Sequence, residues 1–179
     1  IGESDLRDRS NYRYSDLPYY LFKKYLEDYY QKPIERLTQE RFYQHMGANH
    51  MGYFPRERFA LSQIVPSEND EYWRNEIVQG TVHDMGAAMQ GGAGGHAGLF
   101  SNANDVAKMM QMYLQNGYYG GKRYFGASTM ATFNNCVYCD ESVRRGIGFD
   151  KPQLSGGGPT CGCVSMKSFG HSGFTGTYT

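Results

Sequence analysis

Gly91-Gly92-Ala93-Gly94-Gly95-His96-Ala97-Gly98-Leu99-Phe100-Ser101 runs straight into Asn102-Ala103-Asn104-Asp105-Val106-Ala107-Lys108-Met109-Met110. Five of the first eight residues are glycine. Glycine reaches φ > 0 and lets other groups approach the main chain, so a dense run feeding a helix predicts a crowded backbone crossing. Val106, Met109, Met110, Tyr113 and Leu114 follow helical spacing and make one apolar face, with Ser101 as the expected N-cap and Asn116-Gly117 as the stop. Gly92-Ala93-Gly94-Gly95-His96-Ala97 fits the relaxed dinucleotide pattern G-x-G-x-x-G/A. The residues before it are not β-rich, no βαβ unit surrounds it and no P-loop lysine follows, so nucleotide binding is excluded.

Upstream, Tyr20, Leu21, Tyr25, Leu26 and Tyr29 are spaced for an amphipathic helix, with Ser15 or Asp16 as cap and Pro18 in its first turn. A second helical region covers 33–46, with Ile34, Leu37, Phe42 and Met46 inward and Gly47 as the stop. Residues 48–80 read as a long, mostly irregular excursion with a short helix over 72–78. Downstream, a turn over 117–121, an extended piece over 122–125 and a short helix over 128–133 lead to a possible strand at 146–149. A loop over 151–165 follows, then glycine-spaced strand residues over 169–179. This helix-rich middle with C-terminal antiparallel strands is an α+β order rather than alternating βαβ.

The 179 residues have room for one domain with a real core, and 40% are hydrophobic. Eighteen basic and eighteen acidic residues cancel, so no charge field points to nucleic acid or an anionic membrane. No run is long and apolar enough to span a bilayer, and the first nine residues lack signal-peptide composition. The last six read as a strand that stops without a turn. Residues 1–179 are therefore expected to be a single domain cut at both ends.

The cysteines stand as Cys136-x2-Cys139 and Cys161-x-Cys163. The second pair is too tight for an ordinary zinc knuckle, which leaves disulfides or thiols open and makes no metal the expectation. His45 and His50 read as structural residues, whereas His96, inside the glycine run, is a candidate for facing a pocket. Gly170-His171-Ser172-Gly173 falls short of a G-x-S-x-G nucleophile elbow because Phe174 stands where glycine is needed.

Tyr14-Ser15-Asp16 opens a helix and His171-Ser172-Gly173 lies on a strand near the end. In kind and order they match the Tyr-x-Asn and His-x-Gly motifs of the serine β-lactamase and penicillin-binding-protein superfamily, in its esterase and carboxypeptidase-like branch. Val82-His83-Asp84, the run to Leu99-Phe100-Ser101, the helix through Gly117, Arg145-Gly146-Ile147-Gly148-Phe149-Asp150 and residues 169–177 extend the resemblance over roughly residues 10–179. Some bacterial members of that branch are joined to a family-three glycoside hydrolase domain. The resemblance implies a partial β-lactamase/transpeptidase-like fold and acyl-enzyme hydrolysis of an ester, amide or peptidoglycan-related substrate, with no cofactor, in the periplasm or cell envelope.

By the same resemblance, Tyr14 transfers the proton, Asp16 orients the substrate or a lysine, and His171 replaces the usual lysine as a donor. The Phe174 N–H is an oxyanion donor and Ser172 and Gly173 help bind the substrate, while His96 joins them as a substrate-binding candidate from its place in the glycine run. The Tyr14 and His171 motifs would face one cleft. There are two departures: Asp16 stands in place of the usual asparagine, losing an amide donor, and no serine is followed three residues on by lysine. The nucleophile is thus expected from a missing N-terminal segment, and the fragment alone is expected to be inactive. The alternative is a non-catalytic binding or scaffolding module attached to a glycoside hydrolase partner.

Overall fold

Helices and short antiparallel strand pairs make up the computed structural model, which describes residues 12–139, 143–154 and 164–179. This is an α+β chain. It divides into two units, the first covering Tyr14–Lys108 and the second Met109–Thr179 together with Tyr12 and Arg13. Cys161, Cys163 and most of the glycine-rich loop over 151–165 lie outside the described residues.

In the first unit α1 (Leu17–Tyr30) carries Pro18 in its first turn, where the missing N–H costs nothing. The Ser15 hydroxyl accepts the Leu17 N–H at 3.3 Å, and the Asp16 side chain makes no cap bond. The expected amphipathic face is only partly covered. Tyr20 and Leu26 are half-buried together with Lys23 and Glu27, whereas Leu21, Tyr25 and Tyr29 are exposed and no α1 residue is fully buried. Glu27 closes the next junction. Pro33 cannot cap by side chain, and the Glu27 carboxylate accepts the Ile34 N–H at 2.8 Å at the start of α2 (Ile34–Thr38).

The helix over 34–46 is interrupted by a π turn (Gln39–Tyr43) before α3 (Gln44–Met46). That turn absorbs one extra residue, which explains why Ile34 and Leu37 are followed inward by Tyr43 and Met46 at stretched spacing. Phe42 is half-buried, and Gly47 ends the helix at φ 64°. The excursion that follows holds two short 3₁₀ turns, Pro55–Glu57 and Leu61–Gln63.

The helix expected over 72–78 is instead a hairpin of β1 (Glu68–Asp70) and β2 (Glu76–Val78). Asp70 decides this: its carboxylate accepts the N–H groups of Tyr72, Trp73 and Arg74 at 3.0, 2.9 and 3.1 Å, wrapping the chain into a turn. A short helix, α4 (Met85–Met89), is capped by Asp84, which accepts the Ala87 N–H at 2.6 Å.

The glycine run is the crowded crossing its composition implies. Gly91, Gly92 and Gly98 have φ of 88°, 97° and 104°, and Gly52 pairs with Phe100 through reciprocal 2.9 Å bonds. Gly94 and Gly95 do not have positive φ; they are required for space. A Cβ on Gly94 would lie 2.9 Å from both Ala87 Cβ and the Ala97 carbonyl, and one on Gly95 would collide with the Tyr19 carbonyl.

Helix α5 (Ala103–Leu114) is capped by Asn102, not Ser101: the Asn102 side chain accepts the Asp105 N–H at 2.9 Å. The inward line is also rotated from the expected one, since Asp105 and Met112 are buried and Leu114 is exposed. Asp105 is satisfied there by the His50 N–H at 2.6 Å and by Lys108 at 2.7 Å, and Lys108 also reaches the Gly47 carbonyl. Asn116 and Gly117, both with positive φ, stop the helix as expected.

The second unit continues with a hairpin of β3 (Tyr118–Tyr119) and β4 (Lys122–Arg123) and then α6 (Ala127–Asn134). Antiparallel β5 (Tyr138–Cys139) and β6 (Arg144–Arg145) follow, and Cys136 and Cys139 form a disulfide. Residues 146–149, expected as a strand, are a tight turn in which the Gly146 N–H donates to the Phe149 carbonyl at 2.9 Å. Around it Arg145 bridges to Asp150, Asp150 to Gly170 and Ser172 to Tyr178. The expected final strand turns first: the Gly173 N–H donates to the Thr177 carbonyl at 2.7 Å, and Tyr178 pairs back. Phe149 packs edge to face on Tyr113 and tilted on Phe169, with ring centroids 5.2 and 5.0 Å apart. Lys151 is buried beside them and donates to the Asn134 side chain; burial, then the neighbouring Arg144, lowers its pKa.

Candidate active-site residues of each unit

In the first unit the Tyr14-Ser15-Asp16 segment leads into α1. Tyr14 is 60% exposed, and the Asp16 carbonyl accepts the Tyr19 N–H at 3.0 Å. The start of α1 is held by the glycine run. Gly95 lies against the Tyr19 carbonyl, and the Tyr20 and His96 rings are 4.7 Å apart.

His96 is not an open wall residue: its side chain is 5% exposed, with Nε2 2.7 Å from the Asp84 carboxylate. Burial alone would raise the Asp84 carboxyl, but the Ala87 N–H and His96 outweigh it and lower its pKa. The Tyr20 hydroxyl is raised, first by burial and then by Asp84 and Asp16. Tyr53 donates to the Gly94 carbonyl at 3.0 Å, and burial pushes its pKa up to about 12, so it remains a donor at any ordinary pH. A cavity of about 410 Å³ is lined by Gly91 and Gly92 together with Phe54, Val82 and Phe100, with Arg74 and Glu76 at its wall. Neither Tyr14 nor His96 lines it.

In the second unit His171 is committed at both ring nitrogens. Nδ1 lies 2.7 Å from the Ser172 carbonyl, which only accepts, so Nδ1 carries the proton. Nε2 lies 3.1 Å from an Arg145 nitrogen, which only donates, so Nε2 offers its lone pair. Arg145 is paired in turn with Asp150 at 2.7 Å and sits over the Tyr12 ring at 5.7 Å. Ser172 is exposed within its bridge to Tyr178, Gly173 lies in the turn, and Phe174 is 90% exposed at the turn's tip.

Sequence reasoning singled out Tyr14, Asp16, His96 and His171–Phe174 but not the residues that pair with His96 and His171, namely Asp84, Tyr20 and Arg145 with its partner Asp150. A signal existed for the last two. Opposite charges that bracket Gly146-Ile147-Gly148-Phe149 are brought together by any tight turn formed there.

A family model described as Beta-lactamase matches residues 6–179. Among curated proteins, a "Putative D-alanyl-D-alanine carboxypeptidase" of Escherichia coli K12 is 33% identical over 183 residues, covering 95% of this chain and 42% of its own length. One of the same name from Salmonella gallinarum is 31% identical over 188 residues, covering 98% and 43%. The chain thus spans less than half the length of these relatives. Among solved structures, the octameric penicillin-binding protein homologue from Pyrococcus abyssi aligns with 86% of this chain and 33% of its own at TM-score 0.56 and 14% identity, a likeness of fold. With the Beta-lactamase model running from residue 6 to the last residue, the chain belongs to the Beta-lactamase family.

Proposed function

We propose that this chain is part of a serine hydrolase that forms an acyl-enzyme on an ester, amide or peptidoglycan-related substrate. What carries the reading is the ordered pair of motifs, Tyr14-Ser15-Asp16 and His171-Ser172-Gly173, inside a Beta-lactamase match that spans the chain. The names of the relatives favour a peptide ending in D-alanyl-D-alanine. Tyr14 serves as the proton-transfer group, Asp16 orients the substrate or the partner lysine, and the Phe174 N–H supports the reacting carbonyl, while His171, its one N–H spent on the Ser172 carbonyl, lines the site without donating as the expected lysine replacement would. The attacking serine and its lysine come from the rest of the protein, because no serine here precedes a lysine by three residues. A periplasmic or cell-envelope location accompanies this reading.

The same missing S-x-x-K favours the second reading, a non-catalytic module beside a glycoside hydrolase domain. Turnover of a chromogenic ester, a cephalosporin and a D-alanyl-D-alanine peptide, measured side by side for these 179 residues and for the full-length protein, separates the two. Hydrolysis by the full-length protein alone is expected. No hydrolysis by either supports the module, and a stable acyl adduct on a serine of this chain overturns the missing-nucleophile reading.

A further inference from the structure

We propose that Arg145 is a positioning residue for His171, fixing the ring's orientation and the tautomer with its proton on Nδ1, and placing a guanidinium at that edge of the second unit. The inference rests on the reading of His171 as an active-site group, but its geometry does not. Arginine has five N–H donors and no acceptor, so a contact of 3.1 Å to Nε2 exists as a hydrogen bond only when Nε2 is unprotonated. The Ser172 carbonyl at 2.7 Å takes the Nδ1 proton. Together these two partners specify one tautomer of the ring.

Asp150 fixes the other side of the guanidinium fork at 2.7 Å, and the Arg145 side chain is 14% exposed. The planar fork therefore has one orientation available to it. Asp150 and the Tyr12 ring meet the same guanidinium, and the Thr179 N–H and carbonyl pair with the main chain of His171. The guanidinium comes from 26 residues away in sequence, on a side chain next to the tight turn over 146–149.

The test reads the ring directly. Two-bond ¹⁵N–¹H correlation spectra of the histidine rings, with His171 assigned by its loss in His171→Asn, show which nitrogen carries the proton. Expected in the unsubstituted protein is a single form with Nδ1 protonated and Nε2 bare. Arg145→Met should move part of the population to the Nε2-protonated form, and Arg145→Lys should restore the original spectrum. A protonated Nε2 in the unsubstituted protein overturns the proposal whether or not Arg145→Met folds, and so does an unchanged ring spectrum in a folded Arg145→Met.

In the full-length protein, Arg145→Met is expected to lower kcat on the order of 100-fold by misplacing the ring, with partial recovery in Arg145→Lys. Full activity in Arg145→Met overturns the positioning role. If the full-length protein hydrolyses nothing, the hydrolase reading fails, while the ring spectra still decide the Arg145–His171 pairing.

Discussion

In the segment around Tyr14 the chain is held by backbone and by volume: a hydroxyl cap on the Leu17 N–H, a proline in the first turn and a glycine pressed against the Tyr19 carbonyl. Around His171 it is held by charge, with a guanidinium between a carboxylate and an imidazole. The first arrangement tolerates changes of pH and salt but not of size, because the penalty for a misplaced atom is steric. The second tolerates changes of neighbouring volume but not of charge, because donor and acceptor identity fixes the ring.

The largest expected effect is that of Tyr14→Phe in the full-length protein, which should lower kcat/KM by roughly 10²–10⁴-fold and leave the melting temperature unmoved, since the side chain is mostly exposed. A matching loss of stability would reassign Tyr14 to packing. Gly95→Val comes next. It should destabilise the first unit by about 1–3 kcal/mol and speed hydrogen exchange at the start of α1, without disturbing the His171 ring spectrum. A melt and an exchange pattern unchanged from the parent would show that α1 can slide away from the glycine run at no cost.

Acid titration of stability tests the first unit's own charges. The Asp105 pKa is lowered: burial alone would raise it, but Lys108 and the His50 N–H prevail. The carboxylate's contribution is therefore complete above the unfolded carboxylate range and is lost as pH falls through the lower folded value. Asp105→Asn should flatten that acid limb, and a stability curve of identical slope would remove Asp105 from the account. The smallest effect is expected for Asp150→Asn, whose partly exposed ion pair is worth about 1 kcal/mol or less. Its signature should be a second His171 tautomer at almost unchanged stability; one tautomer as before would mean that Arg145 needs no anchor.

What could be read from the residues alone follows the range of the forces involved. Helix α5, its stop at Asn116-Gly117, the stop at Gly47 and the crowded glycine run depend on neighbours in sequence, and all were legible. The hairpin over 68–78 was not. Its periodicity is weak, and one carboxylate taking three N–H groups outweighs what a short helix there could gain. Ser101 and Asn102 are equally good caps by composition, and only the geometry of the Phe100–Gly52 bridge beside them separates the two. The rotated inward face of α5 was illegible because Asp105 is tolerated inside only once His50 and Lys108 are in place. For the candidate site, the motif residues were proposed through resemblance, whereas the pairings of Arg145 and Asp84 depend on partners that only the fold supplies.

The π turn over 39–43 makes the length of its helix negotiable. It carries one residue more than an α-helix needs, and side chains advance by about 100° per residue, so deleting Arg41 would move Tyr43 and Met46 one step back along the chain. Counted from Ile34, they would then fall at i+8 and i+11, the spacing of an uninterrupted apolar stripe. A single deletion there should therefore regularise the helix with its buried face intact, whereas a single insertion has no second bulge to absorb it and should turn that face toward water.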